Sequence, residues 1–235
     1  MNIALLYREV ASVEKVVAAK FEKIAETSSV RVLPYNINAL DEEGRIKFSQ
    51  QFSASVQEKK CVRLLLHSIA RGNLKPLIRQ TEQDDILSAD DIQLTTYAMS
   101  NSLIDWARLI LDNQLFCDDA RIIGLTSDGA NKFWEGYAAV SVAKASLKSL
   151  ITYMAVELGK YGLKTNLIQA GVTETPSLKR IPGSKKLLEL ANAVSPLGRI
   201  TTPQDVANVI YLLCTDEAAW INGALIHVDG GEHCF

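Results

Sequence analysis

Apolar residues occur in blocks along this chain, and the blocks switch between two periods. Ile3-Ala4-Leu5-Leu6-Tyr7 is a continuous apolar run, the pattern of a strand buried on both faces of a parallel sheet. From Ser12 to about Thr27, Val13, Val16, Val17, Phe21 and Ile24 recur on one helical face. Val30 to Leu33 predicts a second strand, closed by Asn36-Ile37-Asn38, and a helix follows from about Glu42 to Lys59. Cys61 to Leu66 predicts a third strand that ends in His67-Ser68-Ile69-Ala70. After a loop with Gly72 and Pro76, a long helix runs roughly from Asp90 to Asn113, and Ala120 to Thr126 predicts a fourth strand. Ala138 to Gly159 contains good helix formers and no proline, so it predicts one long helix. A fifth strand is expected at Lys164 to Gln169. Thr202-Pro203 starts a helix to about Cys214, and Ala224 to Val228 forms the last strand.

Strand and helix alternate throughout, which implies an α/β fold with a doubly wound parallel sheet and right-handed crossovers. The 235 residues fit one such domain better than two. Ligands of these sheets bind outside the carboxyl ends of the strands. Arg8, Asn36, Ser68, Ser127 and the loop at 170–175 each follow a predicted strand and are therefore candidate site positions.

The long helix beginning at Ala138 carries the candidate chemistry. Tyr137 and Lys144 are seven residues apart, so they share a face two turns apart, with a rise of about 10 Å. A phenol and an ammonium so placed make a proton-delivery pair, in which the cation is expected to lower the tyrosine pKa. The same spacing also describes a tyrosine capping a core helix and a lysine on its wet face.

Composition narrows the classes. A net charge of -2 gives no electrostatic case for nucleic acid or an anionic membrane. Cys61, Cys117, Cys214 and Cys234 form no CxxC pair, which reads as thiols of a reducing compartment. His67, His227 and His233 show neither metal-ligand spacing nor a carboxylate partner pattern, so no metal is expected. The first apolar run is too short for a signal peptide, and no run approaches the roughly 20 apolar residues that span a bilayer. A cytoplasmic, soluble domain is the expectation.

Four motifs in order resemble the short-chain dehydrogenase/reductase superfamily, and within it the enoyl-acyl-carrier-protein reductase branch. The Tyr137-x6-Lys144 pair matches that branch's longer spacing; the usual three-residue gap would require a tyrosine at Val140. His67-Ser68-Ile69-Ala70 resembles the branch's HSI motif. Ala170-Gly171-Val172-Thr173-Glu174-Thr175 resembles its AG-x-x-x-T segment. Ile221-Asn222-Gly223 through Val228-Asp229-Gly230-Gly231 resembles the closing signature. The resemblance covers essentially the whole chain from Ile3.

The resemblance implies a Rossmann-like fold and an NADPH- or NADH-dependent reduction of an enoyl thioester on acyl carrier protein or coenzyme A. Tyr137 would donate a proton or hydrogen bond to the developing enolate, and Lys144 would hold the nicotinamide ribose. Ser127 falls where many members keep a catalytic serine; it reads equally as a strand-end hydrogen bond. Ser68, Ile69 and Ala70 would lie along the cofactor, Asn36 and Ile37 would border the adenine, and Val172 and Thr175 would meet the carboxamide. Arg8 suits a ribose 2′-phosphate and so favours NADPH; a solvated arginine beside Glu9 is the plain alternative. Plain readings also stand for Ser68 as a strand end, Asn36 as a turn residue and Thr175 as loop chemistry. Pro176 to Leu190 would be a mobile loop over the substrate. Resemblance also implies a homodimer or homotetramer built on the two long helices and the last strand.

The front departs from the superfamily. No glycine precedes Gly44, and no GxGxxG or GxxxGxG occurs, whereas such turns hold the pyrophosphate. Ile3–Tyr7 matches the family's second strand, so one βα unit with its glycine-rich turn is expected to be absent. Losing that unit would leave a gap in the sheet or force new strand pairing. Two other functional readings therefore stand beside enoyl reduction: a 3-oxoacyl thioester or other carbonyl reductase, and a non-catalytic scaffold.

Overall fold

The computed structural model describes residues 1–56, 58–83 and 85–235. The chain divides into two compact units, Met1–Glu58 and Lys59–Phe235.

In the first unit, β1 (Ile3–Tyr7) and β2 (Val32–Asn36) form a two-stranded parallel sheet, with Ile3 opposite Val32 and Tyr7 opposite Asn36. They are joined by α1 (Ala11–Ser28), which ends on Ser29 in the left-handed conformation. Phe21 of α1 meets Tyr7 edge-on at 5.5 Å between ring centroids. Val13, Val16 and Ile24, predicted on the same buried face, are exposed. The second strand starts two residues later than the apolar pattern suggests and runs on to Asn36, with Pro34 inside it. Proline lacks an N–H but is tolerated where a strand has one hydrogen-bonded neighbour, as β2 has here. The helix α2 (Glu42–Ser55) is capped by Asp41, whose carboxylate accepts the Gly44 N–H at 2.7 Å. It packs Phe48 and Phe52 against Tyr35 of β2. The helix was expected to reach Lys59 but ends at Ser55; residue 57 lies outside the described residues.

The second unit holds a four-stranded parallel sheet in the order β3 (Val62–His67), β4 (Phe116–Ser127), β5 (Lys164–Ala170), β6 (Leu225–Val228). The strands therefore fall into two sheets, β1-β2 and β3 to β6. Helices cover both faces of the larger sheet. Ile123 of β4 packs with Ile168, Val206 and Leu213, which brings α7 (Pro203–Leu213) onto one face. The adjacent Gly124 points to the other face, where a Cβ would lie 3.3 Å from Leu147 of α5 (Ala138–Glu157). Thr202 caps α7 in a reciprocal box with Asp205. By length and composition α5 could span a bilayer, yet Ala139, Val140, Ala143, Lys144, Leu147, Ile151, Met154 and Ala155 are buried in the unit as a core helix.

The expected single helix over 90–113 is two α-helices, α3 (Ala89–Thr96) and α4 (Ser102–Asp112), joined by a π-helical turn at Tyr97–Asn101. The extra residue in that turn lets the Ser100 hydroxyl donate to Ser146 of α5 at 3.2 Å and leaves Ser102 facing β3. The segment expected as a mobile cover, 176–190, holds a short 3-10 turn and most of α6 (Ser184–Val194).

One carboxylate ties the amino-terminal half of β4 to its neighbours. Asp119 pairs with Arg63, Arg121 and Lys164, and Arg121 is fully buried, donating from Nε to the Leu213 carbonyl at 2.6 Å. The Arg121 hydrogen bond, followed by those from Lys164 and Arg63, holds the Asp119 carboxyl well below the usual carboxylate range. Its contribution is present above the ordinary aspartate pKa and is lost as pH falls below it. Asp119→Asn leaves the Arg121 guanidinium buried without its counter-charge. The expected loss is about 3 kcal/mol at neutral pH by urea unfolding, with the gap from the native protein closing as the pH is lowered below 4.

Candidate active site

The candidate residues of the second unit converge where β4 and β5 end. Ser127 closes β4 and lies in register with Ala170, the last residue of β5, so the 171–175 loop leaves the sheet beside it. After Ser127 a short 3-10 turn, Asp128–Ala130, leads to Tyr137 at the cap of α5. The Tyr137 hydroxyl lies 3.4 Å from Ser127 Oγ. Gly129 makes room for the ring: a Cβ there would stand 2.5 Å from Tyr137 Cε1.

Lys144 lies two turns along the same helix and is buried. Its ammonium donates to the Leu125 carbonyl of β4 at 2.6 Å, and no carboxylate pairs with it among the described residues. One of its three donors is thus used and two remain. A desolvated ammonium with spare donors beside strand ends fits the hydroxyls of a bound ribose.

Burial sets the protonation states here. The Tyr137 phenol is pushed up by burial, and the Ser127 hydrogen bond opposes this only in part. The expectation that Lys144 lowers the tyrosine pKa is therefore corrected: loss of solvent outweighs a cation two turns away, and the phenol stays protonated. Burial also lowers Lys144 to about 8. His67, at the end of β3, is brought to about 4 by burial and then by the charge of Lys144. Its Nε2 is 2.8 Å from Ser102 Oγ. That hydroxyl donates to the Ala98 carbonyl, so it accepts from His67, which is a neutral Nε2–H tautomer.

The other predicted positions sit on loops and strand ends. Ser68 and Ala70 are exposed and Ile69 is half-buried in the turn after β3. The Val172 N–H donates to Glu232 Oε2 at 3.0 Å, and the Thr175 hydroxyl accepts the Leu178 N–H at 3.1 Å. In the first unit, Arg8 is exposed just after β1. Asn36 uses its whole amide on the Glu9 backbone, accepting from N and donating to O, both at 3.0 Å. Ile37 is buried, and its N–H donates to the Tyr7 carbonyl at 2.9 Å.

Two groupings escaped sequence reasoning. Glu232 reaches the Val172 amide from 60 residues away, and its carboxyl is raised chiefly by burial. The expectation that the histidines lack carboxylate partners fails for two of them. His233 Nδ1 lies 2.6 Å from Asp229 Oδ2, and His227 Nδ1 lies 3.9 Å from the same oxygen. The cause is the pair of left-handed glycines, Gly230 and Gly231, which turn the chain back so that residue 233 meets residue 229.

The lysine gives a test of this electrostatic picture. Between its folded value near 8 and the ordinary 10.5, the unfolded chain binds the proton more readily, so stability rises with pH across that window. Lys144→Met cannot take a proton, so its own stability lacks this rise. Urea midpoints of both proteins at intervals from pH 7 to 10.5 are expected to show the native protein gaining on the variant above pH 8. A constant difference across the window would contradict the buried, charged lysine.

Known proteins resemble this chain in sequence and in fold. The sequence signature described as "Enoyl-(Acyl carrier protein) reductase" matches residues 2–233. The enoyl-acyl-carrier-protein reductase (NADH) FabI of Aquifex aeolicus is 32% identical over 173 residues, which cover 72% of this chain and 62% of the relative. The crystal structure of the Aquifex aeolicus reductase superposes over 100% of this chain and 86% of its own, with a TM-score of 0.82 at 26% identity. A Bacillus cereus enoyl-acyl carrier protein reductase, solved with NADP+ and an indole naphthyridinone, matches over the same shares with the same TM-score and identity. A signature spanning nearly the whole chain, on a fold shared with those enzymes, shows that this chain belongs to the enoyl-acyl-carrier-protein reductase family of the short-chain dehydrogenase/reductase superfamily.

Proposed function

We propose that this protein reduces the 2,3 double bond of an enoyl thioester, carried on acyl carrier protein or coenzyme A, with NADPH or NADH as the reductant. The carrying observation is Ser127, Tyr137 and Lys144 at the carboxyl ends of β4 and β5, with a protonated phenol 3.4 Å from the serine and a buried ammonium along the same helix.

The nicotinamide, when bound, supplies the hydride. Lys144 offers its two spare donors to the ribose hydroxyls and places a positive charge near the reacting centre. Tyr137 donates its hydrogen bond to the thioester carbonyl oxygen, where negative charge grows as the double bond is reduced. A donor preorganised at that oxygen lowers the barrier because it is aimed before the charge appears. Ser127 orients the phenol. The Val172 N–H suits a carboxamide oxygen, which would displace Glu232 from it, and Thr175 retains its own hydroxyl proton for the same group. Ser68, Ile69 and Ala70 would flank the dinucleotide. Related enzymes are described with NADH and with NADP+. Residues 176–190 would cover the acyl chain.

A carbonyl reductase is the second reading, because a serine hydroxyl beside the tyrosine can also polarise a ketone. Crotonyl and acetoacetyl thioesters assayed side by side separate the two. Enoyl reduction is expected, and reduction of the keto substrate alone would reject the leading reading. Tyr137→Phe is expected to lower kcat by about a hundredfold or more, whereas Lys144→Met should chiefly raise the KM for the nicotinamide. Failure of the native chain to quench or shift NADPH and NADH fluorescence would favour the scaffold.

Self-association to a homodimer or homotetramer accompanies this reading. Leu94, Tyr153 and Val156 are exposed on α3 and α5, as are Tyr211 and Leu212 on α7 and Trp220 beyond it. Light scattering is expected to give a mass of two or four chains; a monomer across the micromolar range would refute it.

A further inference from the structure

We propose that His227, Asp229 and His233 form a binding site for a divalent d-block cation such as zinc, cobalt or nickel. One ligand atom from each of the three lies within 4.8 Å of the other two. The imidazoles stack with centroids 3.8 Å apart and planes 21° from parallel. Their Nδ1 atoms stand 2.6 and 3.9 Å from Asp229 Oδ2. Donors sharing one tetrahedral ion at ordinary zinc bond lengths lie about 3.3 Å apart, and the two observed separations bracket that figure. To bind one ion, one imidazole turns out of the stack so that both Nδ1 lone pairs converge on it, and the ion takes the place of the His233–Asp229 hydrogen bond.

The carboxylate is built for the task. The Asp229 side chain is buried, and its Oδ1 accepts the Gly231 N–H at 3.0 Å, which fixes its orientation. Outer contacts of this kind hold metal ligands in place. The histidines, by contrast, are about one-third exposed and border a cleft of about 470 Å³ that also includes Arg199, Asp205 and Asn208. The cleft's arginine does not oppose a cation, because Arg199 is held by both carboxylate oxygens of Asp205 at 2.7 and 2.9 Å. Protein thus supplies three ligands, and the open side leaves room for water. Two imidazoles and one carboxylate select borderline d-block ions over magnesium or calcium, which prefer all-oxygen shells. The ion would pin the end of β6 to the turn at Glu232–Cys234, the same turn from which Glu232 reaches the Val172 amide. The site does not depend on the reductase reading.

The test uses the full chain without an affinity tag, stripped by chelator and titrated with Zn2+ by calorimetry and with Co2+ by visible absorption. One ion per chain is expected, with a Co2+ ligand-field spectrum and a raised melting temperature in Zn2+. His227→Gln and His233→Ala should each weaken binding by about a hundredfold and abolish the thermal shift, while circular dichroism and melting without metal report whether each variant folds. Cys234→Ser should bind as the native chain does. No binding up to millimolar Zn2+, binding that survives both histidine substitutions in folded protein, or binding lost only in Cys234→Ser overturns the assignment.

Discussion

The hydrogen bond from Lys144 to the Leu125 carbonyl joins the two elements on which the candidate site depends. It fastens the first turns of α5 to the carboxyl end of β4, and so fixes how far the phenol of Tyr137 stands from Ser127. A lysine drawn out of water is costly unless its charge has somewhere to go. Here it meets a carbonyl dipole and no carboxylate among the described residues, so the ammonium keeps capacity for a ligand. The same desolvation holds Tyr137 protonated and His67 neutral. One burial event therefore leaves the site with a single positive group and a phenol ready to donate.

The rest of the second unit serves to keep that corner rigid. Gly124 lets α5 approach β4 closely, and the π turn before α4 carries Ser100 to α5 and Ser102 to His67. At the far end of β4, Asp119 gathers three cations, one of them with no solvent exposure. The central strand is thus held at its entry by ion pairs and at its exit by the lysine. Asp229 plays a comparable part after β6, where one buried carboxylate organises both the Gly231 turn and the two histidines.

Much of this was legible in order and period. The apolar runs located all six strands, and the Thr202-Pro203 and Ala138 starts located two helices within a residue or two. Spacing and place after a strand single out Tyr137, Lys144 and Ser127 as candidates, and the structure sets Ser127 against Tyr137. The apolar run from Val30 to Leu33 stops short of Pro34 to Asn36, which the strand includes, and a strand paired on one side can absorb the proline. The π turn left no trace in composition, since its residues are ordinary helix residues. The pKa of Tyr137 was misjudged because spacing shows a cation nearby and does not show how much water has been removed.

The sequence by itself determined the alternation of strands and helices, the family, and the pair of groups on α5, because each of these is written in local period and residue type. Only the tertiary structure decided the break into two sheets, the protonation of the phenol, the contact of Glu232 with Val172, and the meeting of two histidines on Asp229. Those properties depend on solvent exclusion and on distances between residues remote in the chain, and neither quantity is encoded in any single stretch of it.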